Sequence, residues 1–373
     1  MSNLATYLTA FLTSFVLCLI FSKIARRVAL KYKLLPRLRS RDSHKKPVPR
    51  IGGLAIFGAF LVVALIWFLA VDPSFHLTKM LVLGMDRKLF GILLAGLLIA
   101  GSMAVDDLKG LSAAVKLVVQ VSAALIVITS GVGIDYISNP FGPTINLNAI
   151  YIPIFTSGGI TYHFSLLSDL LTLVWLVGMM NVINFIDGID GLASGISGIA
   201  AITIFLLSLT AMVNQPATAL LAIIVAGAAL GFLPENYYPA KLFMGDSGSM
   251  FLGLMLGVLP LISGGKLATA FLVLGFPIVD GLVVTFTRLL QGKNPMSTPD
   301  KTHLHHRFIN AGFSTRQAVA FMYGIAALFG WVALRSTTQT KLEAGVILVV
   351  LLLLMIVTLN KISKVKNKKS AMN

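Results

Sequence analysis

Apolar runs of about 20 residues recur along the whole of this chain, and each is long enough to cross the hydrocarbon core of a bilayer as a helix. Lipid supplies no hydrogen-bonding partners, so the backbone of such a run must pair with itself, which a helix does within one segment. Charged residues make up only 12% of the 373, about half the fraction expected of a soluble domain. The reading is an all-α integral membrane protein, a polytopic bundle of about 11 transmembrane helices forming a single domain over 1–373. Expected spans are 3–22, 51–71, 89–105, 113–131, 166–184, 192–213, 217–233, 248–263, 268–287, 318–335 and 343–359.

The net charge of +16 would suggest nucleic acid in a soluble protein, but its distribution argues for a membrane and against nucleic acid. With these spans, 24 of the 30 lysines and arginines fall in segments on one side. Cytoplasmic loops carry that excess, so the N-terminus is expected outside and the C-terminus inside. The run from Met1 to Phe21 has no Lys or Arg ahead of it, whereas Lys23, Arg26 and Arg27 follow at once. That order is opposite to a cleavable signal peptide and fits an uncleaved first span. Cys18 is the single cysteine, so no intrachain disulfide can form. The longest outside segment, 132–165, could hold a small hairpin or lie on the membrane surface, and suggests no chemistry.

The inside segments, about 23–50, 106–116, 184–191, 234–248 and 288–317, contain four polar islands. Carboxylates beside hydrocarbon are costly, so several of them at one leaflet mark a site. Asp106 and Asp107, with Lys116 at the start of the next span, could bind a cation or supply a base, or could simply cap a helix in a solvated turn. Asn184, Asp187 and Asp190 recur at intervals of three, which puts them on one helical face, while Gly188 and Gly191 leave room for a ligand. Asp246 lies between Gly245 and Gly248 at a helix N-terminus, where backbone N–H groups favour anions and the carboxylate can hold Mg2+. A plain capping role for Asp246 or Ser247 is the alternative. His303, His305, His306 and Arg307 read as phosphate-binding donors. Zinc would need a partner Cys or a His-Glu-x-x-His pattern, and neither is present.

Taken together, Asp106-Asp107, Asn184-x-x-Asp187-Gly-x-Asp190-Gly, Phe243-Met244-Gly245-Asp246-x-Gly and His303-x-His305-His306 resemble the polyprenyl-phosphate N-acetylhexosamine-1-phosphate transferase family, glycosyltransferase family 4. Pro49-Arg50-Ile51-Gly52-Gly53 and Gly231-Phe232-Leu233-x-x-Asn236 resemble it as well. The peptidoglycan branch of that family carries three consecutive histidines followed by Phe-Glu. Here the loop reads His303-Leu304-His305-His306-Arg307-Phe308, which is similar to the branch that starts O-antigen, enterobacterial common antigen or teichoic-acid chains from UDP-GlcNAc.

The resemblance implies transfer of HexNAc-1-phosphate from a UDP-HexNAc to undecaprenyl phosphate at the cytoplasmic face of a bacterial inner membrane, releasing UMP. It implies Mg2+, with Mn2+ as a substitute, held by Asp246 and Asp106, and Asp106 as a base toward the lipid phosphate. Asp106, Asp107, Asp187 and Asp190 would be the catalytic carboxylates and line the cleft with Asn184, with Lys116 and Lys45 or Lys46 on phosphates. Phe243 and Asn236 would meet the nucleotide base, and His303, His305, His306 and Arg307 the sugar-phosphate. A homodimer is plausible from the family alone. The competing reading from the residues is an ion-coupled transporter, which would place polar groups at mid-span on several helices. Asp169 and Asp280 come nearest to that.

Overall fold

A computed structural model describes residues 2–35, 47–71, 75–137, 139, 142–157, 160–264, 267–292 and 303–370. Lys45 and Lys46, expected on phosphates, lie outside the described residues. The helices are α1 (Ser2–Lys31), α2 (Gly52–Ile66), α3 (Arg87–Lys109), α4 (Ala113–Thr129), α5 (Leu166–Ile186), α6 (Leu192–Ser208), α7 (Pro216–Asn236), α8 (Gly245–Ile262), α9 (Leu267–Val273), α10 (Gly275–Leu290), α11 (Leu304–Ala311), α12 (Thr315–Arg335) and α13 (Thr338–Ser370). Short antiparallel hairpins join some of them, among them Tyr151–Ser157 paired with Ile160–Ser165 in the long segment before α5.

Eight of the described helices are long and apolar enough to cross a membrane, or nine if α9 and α10 make one broken span. The expected spans 113–131 and 192–213 correspond to α4 and α6, each 17 residues long. The expected span 268–287 is bent by 80° between α9 and α10. Pro277 explains the break, because it has no N–H to donate to the carbonyl of Val273 one turn earlier. The basic stretch from Lys361 continues as the last turns of α13.

α8 is the centre of the bundle. In its most apolar window 94% of residues are buried, against 22% in α1 and 28% in α13, which form the rim. It packs against α5, α3 and α2. Phe251 on α8 meets Phe57 and Phe60 of α2, each at 5.2 Å between ring centroids, and such pairs contribute about 0.5–1.5 kcal/mol beyond their burial. Small residues let these helices approach closely, as membrane bundles require: a Cβ on Gly253 would lie 2.6 Å from the Met179 carbonyl of α5.

Polar contacts collect at the two ends of the bundle. At one end Arg87 Nε donates to the Ser130 carbonyl (2.9 Å), Tyr136 to that of Gly264 (2.8 Å), and Lys341 to Thr269 (2.9 Å). At the other end lie the four islands. Asp169, one of the two charges nearest to mid-span, accepts from the Ser165 N–H (2.8 Å) at the start of α5, which satisfies a helix N-terminus.

Candidate active site

The site is built around the N-terminus of α8. The segment before α2 runs alongside the segment before α8: Phe243 N–H donates to the Pro49 carbonyl (2.8 Å), Gly52 N–H to Phe243 (3.0 Å) and Gly53 N–H to Met244 (2.8 Å). Any side chain on Gly53 would collide with the Gly248 backbone, so the two helix starts can touch only because both residues are glycine. Gly245 has φ +68°, and a Cβ there would strike the Asp107 carboxylate. These glycines therefore bring α3, α2 and α8 to one point.

Asp107 at the end of α3 caps α8 from outside. Its carboxylate accepts from the Asp246 N–H (2.8 Å), the Ser247 N–H (3.2 Å) and the Ser247 hydroxyl (2.7 Å), satisfying donors that a helix start leaves unpaired. Asp106 turns the other way. One oxygen accepts from the Leu111 N–H (2.6 Å) in the tight α3–α4 turn, and the other pairs with Lys116 Nζ at 2.6 Å. Lys116 also reaches Asp246 Oδ2 at 2.7 Å. The second oxygen of Asp246 accepts from Asn184 Nδ2 at 3.0 Å, and that same amide donates to Ser249 (2.9 Å). Lys116 of α4 and Asn184 of α5 thus converge on the Asp246 carboxylate of α8, and Lys116 links it to Asp106 of α3.

The turn between α5 and α6 closes the cluster. Burial, together with the negative charges of Asp246 and Asp107, holds the Asp187 carboxyl well above its usual range, with Arg50 partly opposing the rise. Asp190 is buried and accepts from the Ala240 N–H (2.8 Å), tying this turn to the loop before α8. Asn236 is also buried. Its oxygen accepts from the Gly191 N–H (3.1 Å) and the Ser194 hydroxyl (3.2 Å), while its Nδ2 donates to the Leu242 carbonyl (3.1 Å). Asn236 is therefore a brace for the turn. Tyr323 of α12 adds a short hydrogen bond to the Gly191 carbonyl.

The histidine loop packs beside this turn. His303 and His305 are buried, with rings stacked at 5.6 Å and 2° apart, and His306 leans on His305 at 4.3 Å. Both His305 nitrogens are buried without a hydrogen-bond partner among the described residues, and burial holds its pKa well below the usual imidazole range. The ring lies against Gly188, where a Cβ would stand 2.5 Å from Nε2. Arg307 extends the other way, donating to Asn360 of α13 (2.6 Å).

The donor set suits a hard divalent cation. Carboxylate oxygens of Asp106, Asp107 and Asp246 lie within 4.8 Å of one another, and oxygen-only ligation is what Mg2+ and Mn2+ favour. No histidine belongs to that group among the described residues, which does not match the nitrogen and sulfur ligands typical of zinc.

The profile of Glycosyl transferase family 4 matches residues 89–264. A Bacillus subtilis protein described as a probable undecaprenyl-phosphate N-acetylglucosaminyl 1-phosphate transferase is 32% identical over 330 residues, covering 86% of this chain and 82% of its own. The chain belongs to the polyprenyl-phosphate N-acetylhexosamine-1-phosphate transferases, glycosyltransferase family 4. A decaprenyl-phosphate N-acetylglucosaminephosphotransferase of Mycolicibacterium smegmatis is 32% identical, with 89% of this chain and 83% of that one covered. The undecaprenyl-phosphate alpha-N-acetylglucosaminyl 1-phosphate transferase of Salmonella typhi is 28% identical, with 94% and 89% covered.

In this family member, three further residues contribute to the site. Arg50, within Pro49-Arg50-Ile51-Gly52-Gly53, offsets the charge on Asp187. Ser249 shares the Asn184 amide with Asp246. Asp280 reaches the histidine loop: its Oδ2 lies 2.9 Å from His303 Nδ1, and its Oδ1 accepts from the Leu304 N–H at 2.8 Å.

Proposed function

We propose that this protein transfers HexNAc-1-phosphate, specifically GlcNAc-1-phosphate, from UDP-GlcNAc to undecaprenyl phosphate, giving undecaprenyl-diphosphate-GlcNAc and UMP. The observation that carries the reading is the Lys116 ammonium set between Asp106 and Asp246, with Asn184 on the far oxygen of Asp246. Such a mixed cluster at the ends of apolar helices suits two phosphate-bearing reactants, one arriving from water and one from lipid. The names of the relatives point to the same donor group and acceptor class.

Asp246, Asp106 and Asp107 would hold Mg2+, with Mn2+ as a substitute. When bound, the cation neutralises diphosphate charge and stabilises charge that develops on the phosphoryl oxygens. Lys116 offsets the repulsion between donor and acceptor phosphates from its place between the two carboxylates. A lipid phosphate oxygen forms the new bond to the sugar-bearing phosphorus, and the bond to UMP breaks. The lipid phosphate has a second pKa of about 6, so it is largely dianionic at neutral pH and needs alignment more than deprotonation. One-step displacement predicts inversion at the transferred phosphorus.

The chain would cross the inner membrane eleven times with its N-terminus out and C-terminus in, hold its site at the cytoplasmic face, initiate a cell-surface polysaccharide and act as a homodimer. A transporter would need a polar route through mid-span. The polar pair one turn deeper than Lys116 and Asn184 is Gln120 with Asn181, which satisfy each other (3.1 and 3.3 Å) and so leave little to bind a passing ion. The test is incubation of purified protein with labelled UDP-GlcNAc and undecaprenyl phosphate, with Mg2+ and with EDTA. Labelled lipid product and UMP in the first arm alone support the proposal. Uptake into vesicles without lipid-linked product would favour the transporter.

A further inference from the structure

Asp280 is a buried carboxylate that the chemistry above leaves without a role. It lies in the second turn of α10, just past the 80° bend, and is 2% exposed. A carboxylate in such a place is costly unless its oxygens are paired. Both are, and both partners belong to the loop that carries the histidines.

Resting on the transferase reading only for its substrate, we propose that Asp280 is a positioning residue that fixes His303 as the Nδ1–H form and anchors the histidine stack against the Asp187–Asp190 turn. A carboxylate is acceptor-only, and in a carboxylate–imidazole pair the proton rests on the ring nitrogen, the stronger base. The Nδ1 proton of His303 therefore faces Asp280 in both the neutral and the protonated ring. That leaves Nε2 as the polar atom of His303 for the donor substrate. The other oxygen of Asp280 caps the start of α11, so one side chain sets both the rotation of His303 and the backbone beside it.

The consequence passes to the catalytic end through rings and backbone. His303 stacks flat on His305, and His305 rests against Gly188 between Asp187 and Asp190. Phe185, at 5.6 Å from the His303 ring, closes another side. The stack has little freedom to turn once His303 is pinned.

The requirement is for a carboxylate in particular, because two donors must be accepted by two oxygens. Asparagine keeps the shape but has one acceptor oxygen, which can serve the Leu304 N–H or the His303 Nδ1–H, not both. Its amide N–H would then face Nδ1 and favour the opposite tautomer, as loss of the acidic partner does in other carboxylate–histidine pairs.

The test uses full-length protein in detergent, with Asp280→Asn, His303→Gln and the double variant. Nitrogen-15 NMR of histidine-labelled protein, with the His303 signals assigned by their loss in His303→Gln, reads the tautomer without any substrate. The expected result is a protonated Nδ1 in the parent protein and a lone-pair Nδ1 in Asp280→Asn. In the transfer assay, Asp280→Asn should lower kcat/KM for UDP-GlcNAc on the order of 10- to 100-fold, the range expected for one buried donor left unpaired. The KM for undecaprenyl phosphate should hold, and the loss should not add to that of His303→Gln. An unchanged His303 tautomer in Asp280→Asn, or losses that multiply in the double variant, would overturn the inference. If the parent protein makes no lipid-linked sugar, the substrate reading fails while the NMR result still decides the role of Asp280.

Discussion

Gly188→Ala tests whether the histidine stack and the acidic turn act as one unit. The backbone at Gly188 lies outside the left-handed region, so alanine introduces no conformational strain of its own. The added methyl would stand 2.5 Å from His305 Nε2 and 2.9 Å from Cε1, whereas ordinary carbon contacts begin near 3.4 Å. The ring must retreat by about 1 Å, but it is buried and has His303 stacked beside it and His306 at 4.3 Å. Displacement of a substrate-positioning group by about 1 Å can cost on the order of 100-fold in rate. Gly178→Ala is the matched control. It lies on α5, nothing stands within 4 Å of its added methyl, and alanine should stabilise the helix by about 0.5–1 kcal/mol. The assay is kcat/KM for UDP-GlcNAc alongside thermal unfolding in detergent. Gly188→Ala should lose at least about 10-fold in kcat/KM while unfolding near the parent temperature, and Gly178→Ala should keep full activity. Parent-like kinetics in Gly188→Ala would show that the histidine ring does not need its place against the turn.

Lys116→Met should reduce turnover by more than about 100-fold, because it removes a cation lying 2.6 and 2.7 Å from two carboxylates and leaves them facing each other; Lys116→Arg should recover part of it in the same assay. Asp107→Ala should lower the unfolding free energy by about 2–4 kcal/mol, since three donors at the start of α8 lose their acceptor, and denaturation of the purified variant checks this. The Asp187 pKa is raised, so ionising this carboxyl costs folding stability. In EDTA, stability should fall as pH rises from the ordinary carboxylate value of 3.8 through the raised folded value. Asp187→Asn should flatten that slope in melts across pH while abolishing transfer.

The helical, membrane-spanning class was legible because lipid selects strongly: a run without charge that is long enough to cross has few other uses, although eight or nine of the described helices meet that test where eleven spans are expected. The grouping of several candidate residues was legible for a related reason. Asp106, Asn184, Asp187 and Asp246 are polar groups at the ends of apolar runs, and each carries a local spacing or glycine that hints at a ligand. The structure brings them together with Lys116, which sequence placed correctly as a neighbour of the acidic pair. Roles that depend on distant partners were not legible. Nothing local distinguishes Asp107, which caps a helix 139 positions away, from Asp106, which faces Lys116. Asn236, which only the family resemblance sets near the nucleotide base, has its amide engaged on Gly191, Ser194 and Leu242. Asp280 reads from sequence only as a charge close to the end of a span, because its partners follow 23 and 24 positions later, in a loop whose folding no periodicity announces. The bend before α10 differs from the expectation of one unbroken span over 268–287, although Pro277 marks it locally.

Central to the proposed reaction is that loops far apart in the chain share one cation–diphosphate pocket. Its most direct measurement is pulsed electron–nuclear spectroscopy on protein loaded with Mn2+ and UDP-GlcNAc, read for 31P coupling to the bound ion. The expected result is clear 31P coupling in the parent protein and loss of tight Mn2+ binding in Asp246→Asn. Mn2+ that binds without any 31P coupling, or that binds equally well to Asp246→Asn, would contradict it.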